Sequence, residues 1–185
     1  MFMSKKLESK ISKTIKKYES RSVQGQLPII WKKAQNYTLE DINGKKFIDF
    51  TSTIFVSNIG HSNKKLINNI KKTLNKKLIH SYVYFHELRS IYLKKLINFA
   101  GKDFDKAFLM SSGTEATEAA LKLMRLNGMK NKKRRPGIIC FDGNWHGRTM
   151  GAQLMSGNNQ QKKWIGINDR NIHHLPFPYP WKIEN

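Results

Sequence analysis

Residues 106–141 change hydrophobic period twice, and that double change constrains the fold more than any other feature. "KAFLM" (106–110) is a short apolar run, "TEATEAALKLMRLNG" has helical spacing, and "GIICF" (137–141) is apolar throughout again. Short continuous apolar runs predict strands buried on both faces. Parallel strands need a long crossover, and the helix between these runs supplies one. The segment therefore predicts a β-α-β unit and an α/β fold with a mainly parallel, helix-covered sheet. Gly128 is expected to close the helix.

Upstream, the periods differ. Leu7, Ile11, Ile15 and Tyr18 form a thin apolar stripe over 4–18, which predicts a helix packed on the protein or a partner subunit. "NYTLEDI" and "KKFIDF" flank Asn43-Gly44, the pair a tight type I′ hairpin turn requires, so 27–50 reads as a small antiparallel unit. Ser62 is expected to cap a helix bearing Leu66, Ile67, Ile70 and Leu74. A second helix carries Leu88, Ile91, Tyr92, Leu96 and Phe99, and Gly101 should stop it.

Charge enters because it suggests a rival. The net charge of +21 over 185 residues, taken alone, suggests nucleic acid or an anionic surface as a partner. The lysines, however, are scattered as pairs among many Asn and Ile residues, a background preference more than a binding face. The local cluster "KNKKRRPG" (130–137) reads as a solvated loop. No apolar run is long enough to span a bilayer. The start "MFMSKKLESKISK" lacks the apolar block of a secretory signal, so a cytoplasmic address is expected. Cys140, the sole cysteine, sits in an apolar run and reads as a core residue.

In a β-α-β unit the ligand lies beyond the carboxyl ends of the strands. "SSGTEA" emerges there after the first strand and "DGNWHGRTMG" after the second. Ser112, Gly113 and Thr114 begin a helix, where free amides and the helix dipole favour a phosphate. The same residues also read as a plain capping box, Ser112 as cap and Glu115 reaching back. No Gly-Lys-Ser/Thr follows, so nucleotide hydrolysis is not indicated. Trp145 offers a flat face for a planar ring, or simply core packing. Arg148 can hold a carboxylate with two parallel hydrogen bonds, or form a surface ion pair. Taken jointly, the two segments describe a site for a phosphorylated aromatic cofactor and an acid substrate, with no metal ligands.

"SSGTEATEAALKLMR" and "DGNWHGRTMGA" resemble the paired signatures of the class III (subgroup II) pyridoxal-phosphate-dependent aminotransferases, of fold type I. "YTLEDINGKKFIDFTSTIFVSNIGHSN" and "NIHHLPFPYPWK" resemble that family's preceding and following blocks, in the same order. The resemblance implies a small N-terminal segment over 1–56 and the first part of the large, mainly parallel-sheet domain over 57–185. It implies pyridoxal 5′-phosphate as cofactor, with Ser112, Gly113 and Thr114 on its phosphate, Trp145 stacked on its ring where the family commonly has Tyr or Phe, and His146 beside it. Arg148 would contact a substrate carboxylate and Ile54 would line the substrate pocket. The substrates implied are an amine or amino acid, 4-aminobutyrate-like or another ω-amino donor, and a 2-oxo acid. The family's active sites form at a dimer interface, which implies a homodimer. The Schiff-base lysine and the acid facing the pyridine nitrogen fall beyond residue 185, which implies a fragment inactive alone. Two alternatives stay open: a non-catalytic remnant that pairs with another subunit, and a basic nucleic-acid-binding protein.

Overall fold

The protein's structure, a computed structural model, describes residues 2–20, 27–131 and 136–179. The heart of the basic cluster, 132–135, and the end of the last family-like block, 180–182, lie outside the described residues. Contacts divide the chain into Met1–Phe85 and His86–Asn185. That is a division by compactness, whereas the 56/57 boundary is one of resemblance to a family's domains.

In the first unit, helix α1 (Phe2–Tyr18) ends with Lys16 and Lys17, where cations favour the carbonyl-rich terminus. Strands β1 (Trp31–Gln35), β2 (Thr38–Asp41) and β3 (Lys46–Ile48) form an antiparallel sheet in that order. Lys33 faces Glu40 across β1 and β2, and their charged groups lie 3.1 Å apart. The Asn-Gly hairpin exists, but its turn is not type I′. Gly44 has φ 84°, while Asn43 is absent from the left-handed residues. The Gly44 amide donates to the Asp41 carbonyl at 3.0 Å, and the Asp41 amide to the Lys45 carbonyl at 3.0 Å. This is the three-residue loop in which a left-handed glycine follows a tight turn. The Asp41 carboxylate selects it by accepting from the amides of Asn43 and Lys45, both at 2.9 Å.

Helix α2 (Lys64–Asn75) is capped by Asn63, not Ser62. Ser62 is left-handed, with φ 53°, and its hydroxyl donates to the Ala34 carbonyl at 2.6 Å. Asn63 Oδ1 instead accepts from the Leu66 amide at 3.1 Å.

The second unit begins with helix α3 (Glu87–Ala100), which Gly101 stops at φ 98°. Residues 106–110 are not a strand. An apolar run becomes a strand only beside a ladder partner, and among the described residues none pairs with it. Helix α4 (Gly113–Lys130) runs through Gly128. A Cβ at Gly128 would lie 2.3 Å from Pro136 Cβ, so this glycine serves a close approach, not a stop. Strand β4 (Ile138–Phe141) pairs parallel with β5 (Ile172–Leu175), Ile138 opposite Ile172. The crossover between them contains helix α5 (Met150–Met155). Leu121, Ile138, Cys140 and Met155 form the core, with Ile172 against it. Cys140 is buried there, and burial raises its thiol pKa, as fits a packing residue.

Candidate functional site

Six of the seven candidate residues lie in the second unit, on the start of α4 and the loop between β4 and α5. Ser112 has extended backbone (φ −145°, ψ 163°) and caps α4, its hydroxyl accepting from the Glu115 amide at 3.3 Å. Glu115 reaches back, though one residue further than a capping box requires, to the Ser111 amide at 2.8 Å. The cap and the socket are therefore compatible. Among the described residues nothing accepts from the amides of Ser112, Gly113 or Thr114. A Cβ at Gly113 would meet nothing within 4 Å. Three orphan N–H groups, two hydroxyls and open space make a donor set suited to a phosphate dianion.

The β4–α5 loop is held against this helix start. A Cβ at Gly147 would lie 2.0 Å from Thr114 Oγ1, and Gly147 has φ 131°, so only glycine fits here. The Thr117 hydroxyl on the next turn donates to the His146 carbonyl at 2.7 Å. On its other side the His146 amide donates to Ser156 Oγ at 3.0 Å. With both backbone groups of His146 tied, Trp145 and Arg148 project from a fixed stem.

Trp145 is 58% exposed, so its indole is not core packing. The Arg148 guanidinium carbon lies 5.6 Å from the indole centroid, a cation–π contact that lines up arginine and ring. The His146 ring turns inward, Nε2 meeting Asn144 Nδ2 at 2.7 Å. Burial first, and then the charge of nearby His174, hold its pKa below the ordinary value, which leaves a neutral imidazole at pH 7. Among the described residues nothing donates to the buried Asn144 Oδ1.

Glu118 carries no signal in the sequence, because its partners lie 31 and 34 residues away. Its carboxylate accepts from the Thr149 hydroxyl and from the Ala152 amide at 2.9 Å. Burial would raise its pKa, but hydrogen bonds from Thr149, Ala152 and Gly151 outweigh that and leave it lowered.

Ile54 lies in the first unit, on a turn of unusual backbone. Ser52, Thr53, Ile54 and Phe55 all have left-handed φ, 48° to 67°. The Asp49 carboxylate gathers this turn: it accepts from the Thr51 amide at 3.1 Å and from the hydroxyls of Thr51 and Thr53 at 3.0 and 3.2 Å. It also meets His61 Nε2 at 2.8 Å.

Among the described residues no group of His, Cys, Asp and Glu could hold a metal ion. Nor is any described helix long and apolar enough to cross a membrane.

The family profile described as aminotransferase class-III matches residues 19–185. The mitochondrial acetylornithine aminotransferase of Saccharomyces cerevisiae is 37% identical over 132 residues, covering 69% of this chain and 31% of the relative. The diaminobutyrate–2-oxoglutarate aminotransferase of Haemophilus influenzae is 30% identical over 164 residues, covering 88% and 35%. Among solved structures, taurine:2-oxoglutarate aminotransferase from Bifidobacterium kashiwanohense, in complex with PLP and glutamate, superposes with a TM-score of 0.82 at 23% identity. That superposition covers 95% of this chain and 39% of the other. The chain thus spans about a third of the length of these curated relatives.

Proposed function

The chain belongs to the class-III aminotransferase family, and from that premise we propose that it forms the N-terminal part of a transaminase using pyridoxal 5′-phosphate. The reaction moves an amino group between an amine or amino acid, 4-aminobutyrate-like or another ω-amino donor, and a 2-oxo acid. The relatives' names, acetylornithine and diaminobutyrate, denote donors with a carboxylate, which supports a guanidinium in the pocket. When bound, the cofactor supplies an electron-withdrawing ring that stabilises negative charge on the donor carbon.

The residues present fit that group. Ser112, Gly113 and Thr114 bind the phosphate through amides and hydroxyls. Trp145 offers its indole face to the ring and keeps water off that side. His146, neutral and hydrogen-bonded to Asn144, stiffens the loop beside the ring. Arg148 orients the substrate carboxylate, and the family resemblance alone gives Ile54, in the first unit, a part in lining a donor pocket. The observation that carries the reading is the contact of Gly147 with Thr114, which sets the loop bearing Trp145 and Arg148 onto the amides of α4.

The small-domain boundary at 56/57, a homodimeric state and a cytoplasmic address belong to the same proposal. So does inactivity of the 185 residues alone, since the resemblance puts the imine-forming lysine outside them. Titrating the chain with pyridoxal phosphate tests the site. Trp145→Ala should weaken binding and leave inorganic phosphate affinity intact. Equal affinity in wild type and Trp145→Ala would remove the indole from the site.

A further inference from the structure

Resting on that reading of the site, we infer that Glu118 is a positioning residue: its carboxylate ties the loop carrying Trp145 and Arg148 to the helix whose start binds the phosphate. Glu118 projects from α4, one turn beyond Thr114. Its Oε1 accepts from the Thr149 hydroxyl and from the Ala152 amide at 2.9 Å. Thr149 directly follows Arg148 and precedes α5, so the carboxylate takes the place of that helix's own cap. Thr149 itself makes no side-chain cap bond, which leaves the first amides of α5 to Glu118. Gly151 admits the carboxylate: a Cβ there would lie 2.3 Å from Glu118 Oε2.

Three attachments then fix the loop on α4. Thr117 holds the His146 carbonyl, Thr114 packs on Gly147, and Glu118 holds the far end at Thr149 and Ala152. The first two hold the middle of the loop and do not reach its end at Thr149. The third holds that end, because a charge-assisted bond to a backbone amide is both short and directional. The indole and guanidinium are thereby set at a fixed distance from the phosphate-binding amides. A two-part site gains affinity for a two-part ligand from such fixed spacing.

This division of labour makes the test specific. Pyridoxal phosphate engages both parts of the site, and inorganic phosphate engages only the helix start. Glu118→Ala in the full chain should weaken pyridoxal phosphate by roughly tenfold or more, and Glu118→Gln by less, because the amide oxygen still accepts from Thr149 and Ala152 and only the charge is lost. Inorganic phosphate affinity should not change in either. Gly151→Ala, which displaces the carboxylate from the other side, should reproduce the same split. A second readout needs no ligand: amide exchange at 144–152 should speed up in Glu118→Ala while α4 stays protected. Unchanged exchange, or a parallel loss of phosphate and pyridoxal phosphate affinity, would overturn the role. Wild-type chain that binds phosphate but not pyridoxal phosphate would instead defeat the cofactor reading, and the exchange result would still decide for or against the tie.

Discussion

At the scale of single residues, the amide of Gly113 admits a clean test. Proline is tolerated at the first position of a helix, where the N–H has no helical partner. Ser112 before it is extended, the conformation that proline demands of its predecessor. Gly113→Pro should therefore preserve α4 while deleting one donor to the phosphate. Loss of a hydrogen bond to a charged group is worth about 1.5–3 kcal/mol, so phosphate and pyridoxal phosphate should both weaken by roughly ten- to a hundredfold. Isothermal titration reads this, and an unchanged affinity would show that the amide is not a ligand. Asp49 makes a second residue-scale prediction, in the first unit. The hydrogen bond from His61 comes first among the causes that lower its pKa from 3.8 to about 2; bonds from Thr51 and Thr53 add to it, and desolvation opposes them. A depressed carboxylate contributes stability above its unfolded-state pKa and loses it as pH falls through the folded value. The urea midpoint should therefore drop as pH falls from 3.8 toward 2. Asp49→Asn should flatten that drop and be less stable at neutral pH. At this scale the sequence was informative where a residue type has one pressing use. Ser112 caps and Cys140 packs as their neighbours imply. Glu118 and Gly128 were illegible, because each answers to a partner outside its own helix: Thr149 and Ala152 for the one, Pro136 for the other.

At the scale of elements, local pattern succeeded where the element is held by its own residues. Helix α4 begins and α3 ends as capping chemistry implies, and α3 carries the apolar residues its periodicity predicts. The run at 106–110 failed because a strand is a property of two segments, and apolar composition says nothing about a missing neighbour. The turn at Ser52–Phe55 was illegible for another reason. Left-handed backbone disfavours L-residues by about 1–2 kcal/mol each, and nothing in "STIF" advertises it. Ile54 is 76% exposed there, so little burial is lost on substitution. Ile54→Asn should raise stability by roughly 0.5–1 kcal/mol, since asparagine accepts this conformation more readily. A lower urea midpoint for Ile54→Asn would mean that the turn is not left-handed at that position. The helix interior at Gly128 gives the opposite sign. Gly128→Ala would improve helix propensity by about 1 kcal/mol, but the added methyl meets the Pro136 ring. Overpacking of this kind is worth about 1–3 kcal/mol, so the variant should be less stable on balance.

At the scale of the whole molecule, the parallel pair β4–β5 decides what the chain can do unaided. Burial alternates along β4: Ile138 and Cys140 face the core, while Ile139 and Phe141 are 67% and 40% exposed. Parallel strands are normally covered on both faces, yet among the described residues Ile139 and Phe141 of β4 and Leu175 of β5 stay exposed. Large apolar residues on α4 are exposed as well, among them Leu123, Met124, Leu126 and Met129. Such surface marks a place where more protein packs, which agrees with the third of the relatives' length that the chain spans. The 185 residues alone should bind a hydrophobic dye and associate at micromolar concentration, both suppressed by co-expression with the remaining part of a class-III relative. Incubated alone with pyridoxal phosphate, an ω-amino acid and 2-oxoglutarate, they should yield no glutamate, and co-expression should be what allows it to form. Glutamate produced by the purified chain would show that the imine-forming lysine and its acid partner are already within these residues. Restored activity with the complement would show that these residues and the complement assemble into one catalytic unit.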